Sequence, residues 1–87
     1  MDSQIGRVIA ELHDLGLAPS TVVAFHSDHG WSLGEQGEWQ KFSTFELGAR
    51  VPLVLVAPSK PPGVVQDAVV ELVDLMPTLL ELAGVPA

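Results

Sequence analysis

The stretch Thr21-Val22-Val23-Ala24-Phe25-His26, running directly into Ser27-Asp28-His29-Gly30-Trp31, decides how this chain is read. The first six residues are mostly apolar or β-branched with little alternation. That is the pattern of a central strand covered on both faces in a parallel sheet. The next five place a carboxylate and an imidazole side by side where that strand ends. Both groups are metal ligands, and ligands that gather beyond strand ends are the common layout of an α/β site. The expectation is an α/β fold with its chemistry in the loop after a buried strand.

Upstream, residues 2–15 read as an amphipathic helix. Ile5, Val8, Ile9, Leu12 and Leu15 keep the i, i+3, i+4, i+7 rhythm, Asp2 or Ser3 is placed to cap the start, and Gly16 stops it. Downstream, residues 27–46 show no clean period and carry Gly30, Gly34, Gly37 and both tryptophans, which reads as a functional loop. Val51–Ala57 is a second buried-type strand, with Pro52 tolerated only near its beginning. Residues 58–63, with three prolines, form a surface turn. Val69–Val73 is a candidate short strand. Asp74 then caps a helix through Leu82, with Pro77 in the first turn and Gly84 as terminator. Two firm strands leave sheet edges and faces uncovered, so the chain is expected to be part of a larger layered domain.

Composition narrows the partners. The 87 residues hold 11 acidic and 4 basic side chains, for a net charge of −7, so nucleic acid is not an expected partner. There are no cysteines, which removes disulfides and thiolate metal sites from this chain. No apolar run approaches the ~20 residues of a membrane span. Residues 1–4 lack the basic and apolar regions of a signal peptide. Compartment is not legible.

Two readings of Asp28-His29 stand on the residues alone. Either both ligate a cation, with Gly30 permitting close backbone approach, or Asp28 caps turn amides and His29 faces water. Lys41 has the same duality: a compact ammonium suited to a tetrahedral oxyanion, or a solvated surface lysine. Glu35 and Glu38 either pair with Lys41 or face water. Trp31 and Trp39 either wall a pocket or anchor the loop, the commoner use of a large indole. Glu46 and Arg50, spaced i, i+4, can form a surface ion pair. His13 belongs to the helix, and His26 ends the strand close to the pair. Ser27 is a local hydrogen-bonding residue and no nucleophile, since it lacks a basic partner at a recognisable spacing.

The run from Ser27 to Lys41 resembles the metal-and-anion segment of the sulfatases, members of the alkaline-phosphatase-like α/β superfamily, and is nearest to a branch of that family with a pattern similar to S-D-H-G-W-x-L-G-E-H-G-E-W-x-K. Further matches follow in order. Met1-Asp2 with Ile5-Gly6-Arg7 and Leu15-Gly16-Leu17 resembles the helix before the metal strand. Arg50-Val51-Pro52-Leu53 resembles the strand after the loop, and Val73-Asp74-Leu75 with Pro77-Thr78-Leu79-Leu80 and Ala83-Gly84 resembles a family helix. The resemblance implies that residues 1–87 are the C-terminal, incomplete part of a sulfatase catalytic domain. It implies that Asp28 and His29 are two ligands of a divalent cation, Ca²⁺, and that Lys41 contacts the sulfate of a sulfate ester substrate, glycan sulfates included. The implied partner is the rest of the catalytic domain. The family nucleophile is a formylglycine made from Cys or Ser in a C-x-P-S-R type signature. That signature is absent here, as are the paired acids that supply other metal ligands, so this chain alone is expected to be inactive. Gln36 stands where the pattern carries His. Two other readings remain open: a phosphate or phosphonate ester hydrolase of the same superfamily, and a non-catalytic remnant acting as an interaction module.

Overall fold

A computed structural model describes residues 1–86. By contacts the chain divides into two units, residues 1–23 with the segment from Val56 onward, and residues 24–55.

The first unit opens with α1 (Asp2–Asp14). Its apolar rhythm produces the helix, but neither Asp2 nor Ser3 caps it. Met1 occupies the N-cap position and no side chain caps the helix, because the helix begins one residue too early for either polar side chain to sit at its mouth. The C-terminus follows the sequence. Gly16 takes φ 68, its amide donates to the His13 carbonyl at 2.9 Å, and the Leu17 amide donates to the Leu12 carbonyl at 3.1 Å. This paired closure needs a left-handed residue, which glycine supplies without a Cβ penalty. A single 3₁₀ turn (Ala18–Ser20) follows, held by the Thr21 hydroxyl donating to the Leu17 carbonyl at 2.8 Å.

The second unit holds most of β1 (Val23–His26) and β4 (Leu53–Val56), which pair as a two-stranded sheet. Pro52 lies just outside β4, as a residue without an amide donor must. Between them the loop is more ordered than its composition suggests. β2 (Ser32–Leu33) and β3 (Trp39–Gln40) form an antiparallel ribbon, with Ser32 opposite Gln40 and Leu33 opposite Trp39. A short helix, α2 (Glu46–Ala49), follows, and the Glu46–Arg50 ion pair forms at 3.2 Å.

Back in the first unit, residues 58–63 make turns, as the prolines dictate. No strand forms over Val69–Val73. Residues 69–71 are irregular, and Leu72–Asp74 is a 3₁₀ turn that feeds α3 (Leu75–Leu82). β-Branched composition makes a strand only where the segment pairs with a neighbour, and residues 69–73 join neither of the two-stranded sheets. Asp74 sits at the N-cap position but in helical conformation, and its side chain makes no cap bond; its carbonyl instead accepts the Thr78 hydroxyl at 2.7 Å. Gly84, at φ 72, closes α3 as Gly16 closes α1.

Both strands were read as covered on two faces, yet Phe25, His26, Val54, Leu55 and Val56 are exposed, and Ala57 is the one buried hydrophobic residue among those described. Both strand sequences are thus written for burial on two faces while most of their side chains are exposed.

Candidate functional site

β1 ends at His26, and the chain turns at once through Ser27-Asp28-His29-Gly30. Local hydrogen bonds fix that turn. The Ser27 hydroxyl donates to the His29 carbonyl at 2.7 Å. The His29 Nδ1–H donates to the Gly30 carbonyl at 2.6 Å, so Nε2 is the ring nitrogen left to meet another group. Nε2 is buried without a hydrogen-bond partner, although Asp28 Oδ2 lies 3.1 Å away. The two atoms are close but not aligned as donor and acceptor. An imidazole whose Nδ1–H is anchored on a backbone carbonyl while Nε2 faces a carboxylate oxygen is the arrangement expected of a metal-binding histidine. Asp28 is mostly exposed and His29 mostly covered. This donor pair therefore suits a divalent cation, and it is too small to hold one unaided. No group of three or more metal-capable side chains occurs among the described residues, whereas Ca²⁺ takes six to eight oxygen ligands.

The turn is pinned to α2 by glycines. The Gly30 amide donates to the Gly48 carbonyl at 2.9 Å, and a Cβ on Gly30 would run into the Leu47 carbonyl. Gly48 is itself buried, and a Cβ there would meet the Ser43 carbonyl oxygen at 2.8 Å. Backbone thus lies against backbone at two successive points, which only residues without side chains permit. The role of Gly30 was legible in the sequence. That of Gly48 was not, since Glu46-Leu47-Gly48-Ala49 carries no turn signal of its own.

Lys41 directly follows Gln40, the last residue of β3. The ladder ends with Ser32 opposite Gln40, so Lys41 lies just beyond the paired residues of the ribbon. Lys41 is exposed and joins Glu38, Phe42, Ser43, Thr44 and Phe45 around a shallow depression. It forms no ion pair with Glu35 or Glu38; the one ion pair made by a lysine or arginine side chain among the described residues is Glu46–Arg50.

Glu35 has another task. Its Oε2 accepts the Leu33 amide at 2.7 Å, and that bond, followed by one from its own amide, holds the carboxyl below the usual glutamate range. Glu35 is thereby a clasp for the ribbon tip, where Gly34, Gln36 and Gly37 all take positive φ. Trp39 packs over Gly34, with the indole 3.3 Å from where a Cβ would be, and both tryptophans remain exposed over half or more of their surface. His26 is exposed with its Nδ1 3.3 Å from the Ser27 carbonyl, and His13 is exposed on α1.

The chain is thus an α/β segment whose polar chemistry is gathered in one excursion between two paired strands. The sulfatase family profile matches residues 1–85. Iduronate 2-sulfatase of Mus musculus is 42% identical over 111 residues, covering 99% of this chain and 20% of the mouse protein. Arylsulfatase K of Homo sapiens is 40% identical over 85 residues, covering 98% of this chain and 16% of the human one. A sulfatase of Formosa agariphila is 39% identical over 87 residues, covering all of this chain and 17% of its own length. This chain belongs to the sulfatase family. It spans about a fifth or less of the length of the curated relatives it matches.

Proposed function

We propose that residues 1–87 are the C-terminal segment of a sulfatase catalytic domain of alkaline-phosphatase-like, layered-sheet architecture. The domain is an iduronate-2-sulfatase-like sulfuric ester hydrolase. The observation that carries the reading is the buried, unpartnered Nε2 of His29 beside Asp28 Oδ2, with Nδ1 anchored on Gly30. In this reading Asp28 and His29 are two ligands of a Ca²⁺ ion whose remaining ligands come from the rest of the domain. Such an ion, when bound, offsets negative charge on the sulfate oxygens as the ester bond breaks. Lys41 contacts the same anionic group from the hairpin side, where its ammonium adds a second positive charge. The hydrogen bonds from Ser27 and His29, and the Gly30–Gly48 contact, keep the two ligands preorganised. The nucleophile, a formylglycine, lies outside these residues, which contain no cysteine; the 87 residues alone are inactive. The substrate class is a sulfate ester, glycan sulfates included.

Aryl sulfate and aryl phosphate assayed in parallel on the complete enzyme test this. Hydrolysis of the sulfate is expected to dominate. Lys41→Ala is expected to raise KM by roughly ten- to a hundredfold, the equivalent of a lost charge-assisted hydrogen bond, with metal content unchanged. Preferential phosphate hydrolysis would move the protein to the phosphate or phosphonate ester hydrolases. Independent folding of residues 1–87 without turnover in the longer protein would favour a non-catalytic interaction module.

A further inference from the structure

The last paired residue of β3 has an uncommon backbone. Gln40 takes φ 77, in the left-handed region that L-residues with a Cβ enter at a cost. Nothing about its side chain explains this. Gln40 is exposed, it sits opposite the buried Ser32 in the ribbon, and its amide group makes none of the side-chain hydrogen bonds in the second unit, which belong to His26, Ser27, His29, Glu35 and the Glu46–Arg50 pair. What is specific to the position is the direction in which the chain leaves it. An ordinary extended residue at 40 would continue the pleat and set Lys41 at the next ladder position, on the opposite face of the ribbon. The reversed φ breaks that alternation. Lys41 leaves the ribbon and enters the depression that Phe42, Ser43, Thr44 and Phe45 complete.

We propose that Gln40 is a positioning residue for the anion-contacting lysine: its left-handed backbone, and not its side chain, aims Lys41. The proposal rests on the reading of Lys41 given above. Strained, non-glycine backbone of this kind persists where the surrounding structure over-determines it, and it gathers at functional sites. Here the ribbon pairing on one side and the 41–48 segment folded under Gly30 on the other supply that constraint.

The test uses the complete enzyme with four substitutions at residue 40 and one at residue 41. Readouts are KM for an aryl sulfate, the inhibition constant of inorganic sulfate, and bound metal. Gln40→Gly and Gln40→Asn, which accept the left-handed region, are expected to keep all three at wild-type values. Gln40→Val, β-branched and least able to adopt φ 77, is expected to raise KM and the sulfate inhibition constant together by about tenfold, with bound metal unchanged. Gln40→Ala is expected to fall between, and it serves in place of Gln40→Val should that variant not fold. Adding Gln40→Val to Lys41→Ala is expected to change nothing further. Equal values for Gln40→Val, Gln40→Ala and Gln40→Gly, with Lys41→Ala still impaired, would overturn the positioning role alone. Loss of binding in Gln40→Gly would overturn it in favour of a side-chain contact. A Lys41→Ala enzyme with wild-type kinetics would overturn the lysine assignment and this proposal together.

Discussion

Replacing Gly30 by Ala probes the contact that fixes the ligand turn. Gly30 is not among the positive-φ residues, so alanine meets no conformational objection there, and the whole cost is steric. A Cβ would overlap the Leu47 carbonyl oxygen and lie 2.9 Å from its carbon. Those atoms are backbone, in a helix whose neighbour Gly48 is pressed against Ser43, so they cannot swing aside as a flexible side chain would. Relief requires α2 and the turn to separate. That breaks the 2.9 Å bond from the Gly30 amide to the Gly48 carbonyl. Overpacking of this kind costs about 1–3 kcal/mol, and an intramolecular hydrogen bond contributes about 0.5–1.5 kcal/mol. The expected loss is roughly 2–4 kcal/mol of stability. It should be accompanied by weaker Ca²⁺ binding, since the carbonyl that orients the His29 ring belongs to the displaced residue. Urea unfolding of the complete enzyme with and without excess Ca²⁺ measures both. A Gly30→Ala protein within about 0.5 kcal/mol of wild type, with undiminished stabilisation by Ca²⁺, would refute the close-approach argument.

Gly6→Ala is the matched control: Gly6 lies within α1, a Cβ there meets nothing within 4 Å, and the same unfolding assay should show a gain of about 0.5–1 kcal/mol. Glu35→Gln tests the ribbon clasp through pH. The folded carboxyl is held below its ordinary range by the Leu33 amide, so its stabilising contribution is present above the unfolded value of about 4.3 and is lost as pH falls through the lowered folded one. The glutamine variant should be less stable at neutral pH and show a flatter stability profile on the acid side; identical acid limbs would argue against the clasp.

Much of this was readable from the residues because short-range physics sets it. The apolar rhythm of residues 2–15, the β-branched runs that became β1 and β4, and the glycines at 16 and 84 each name their own structure. Adjacent acid and imidazole at a strand end needed no long-range information either. Three features needed more. The ribbon within residues 27–46 is two residues per strand, too short for alternation to register, although glycines at 34 and 37 around one turn are a hairpin signal. Left-handed Gln36 and Gln40 are invisible to propensity, since glutamine gives no hint of positive φ. The strand expected at Val69–Val73 failed for the converse reason: composition favoured it, and the segment pairs with neither two-stranded sheet.

The central claim is that Asp28 and His29 hold a cation, and bound metal tests it without relying on turnover. The complete enzyme, dialysed and then titrated with Ca²⁺, should bind the ion. Asp28→Ala and His29→Ala should each reduce the affinity at least tenfold while remaining folded by circular dichroism. Ca²⁺ affinity unchanged in both variants would contradict the account, and would return Asp28 to a turn-capping residue and His29 to a ring held only by its neighbours.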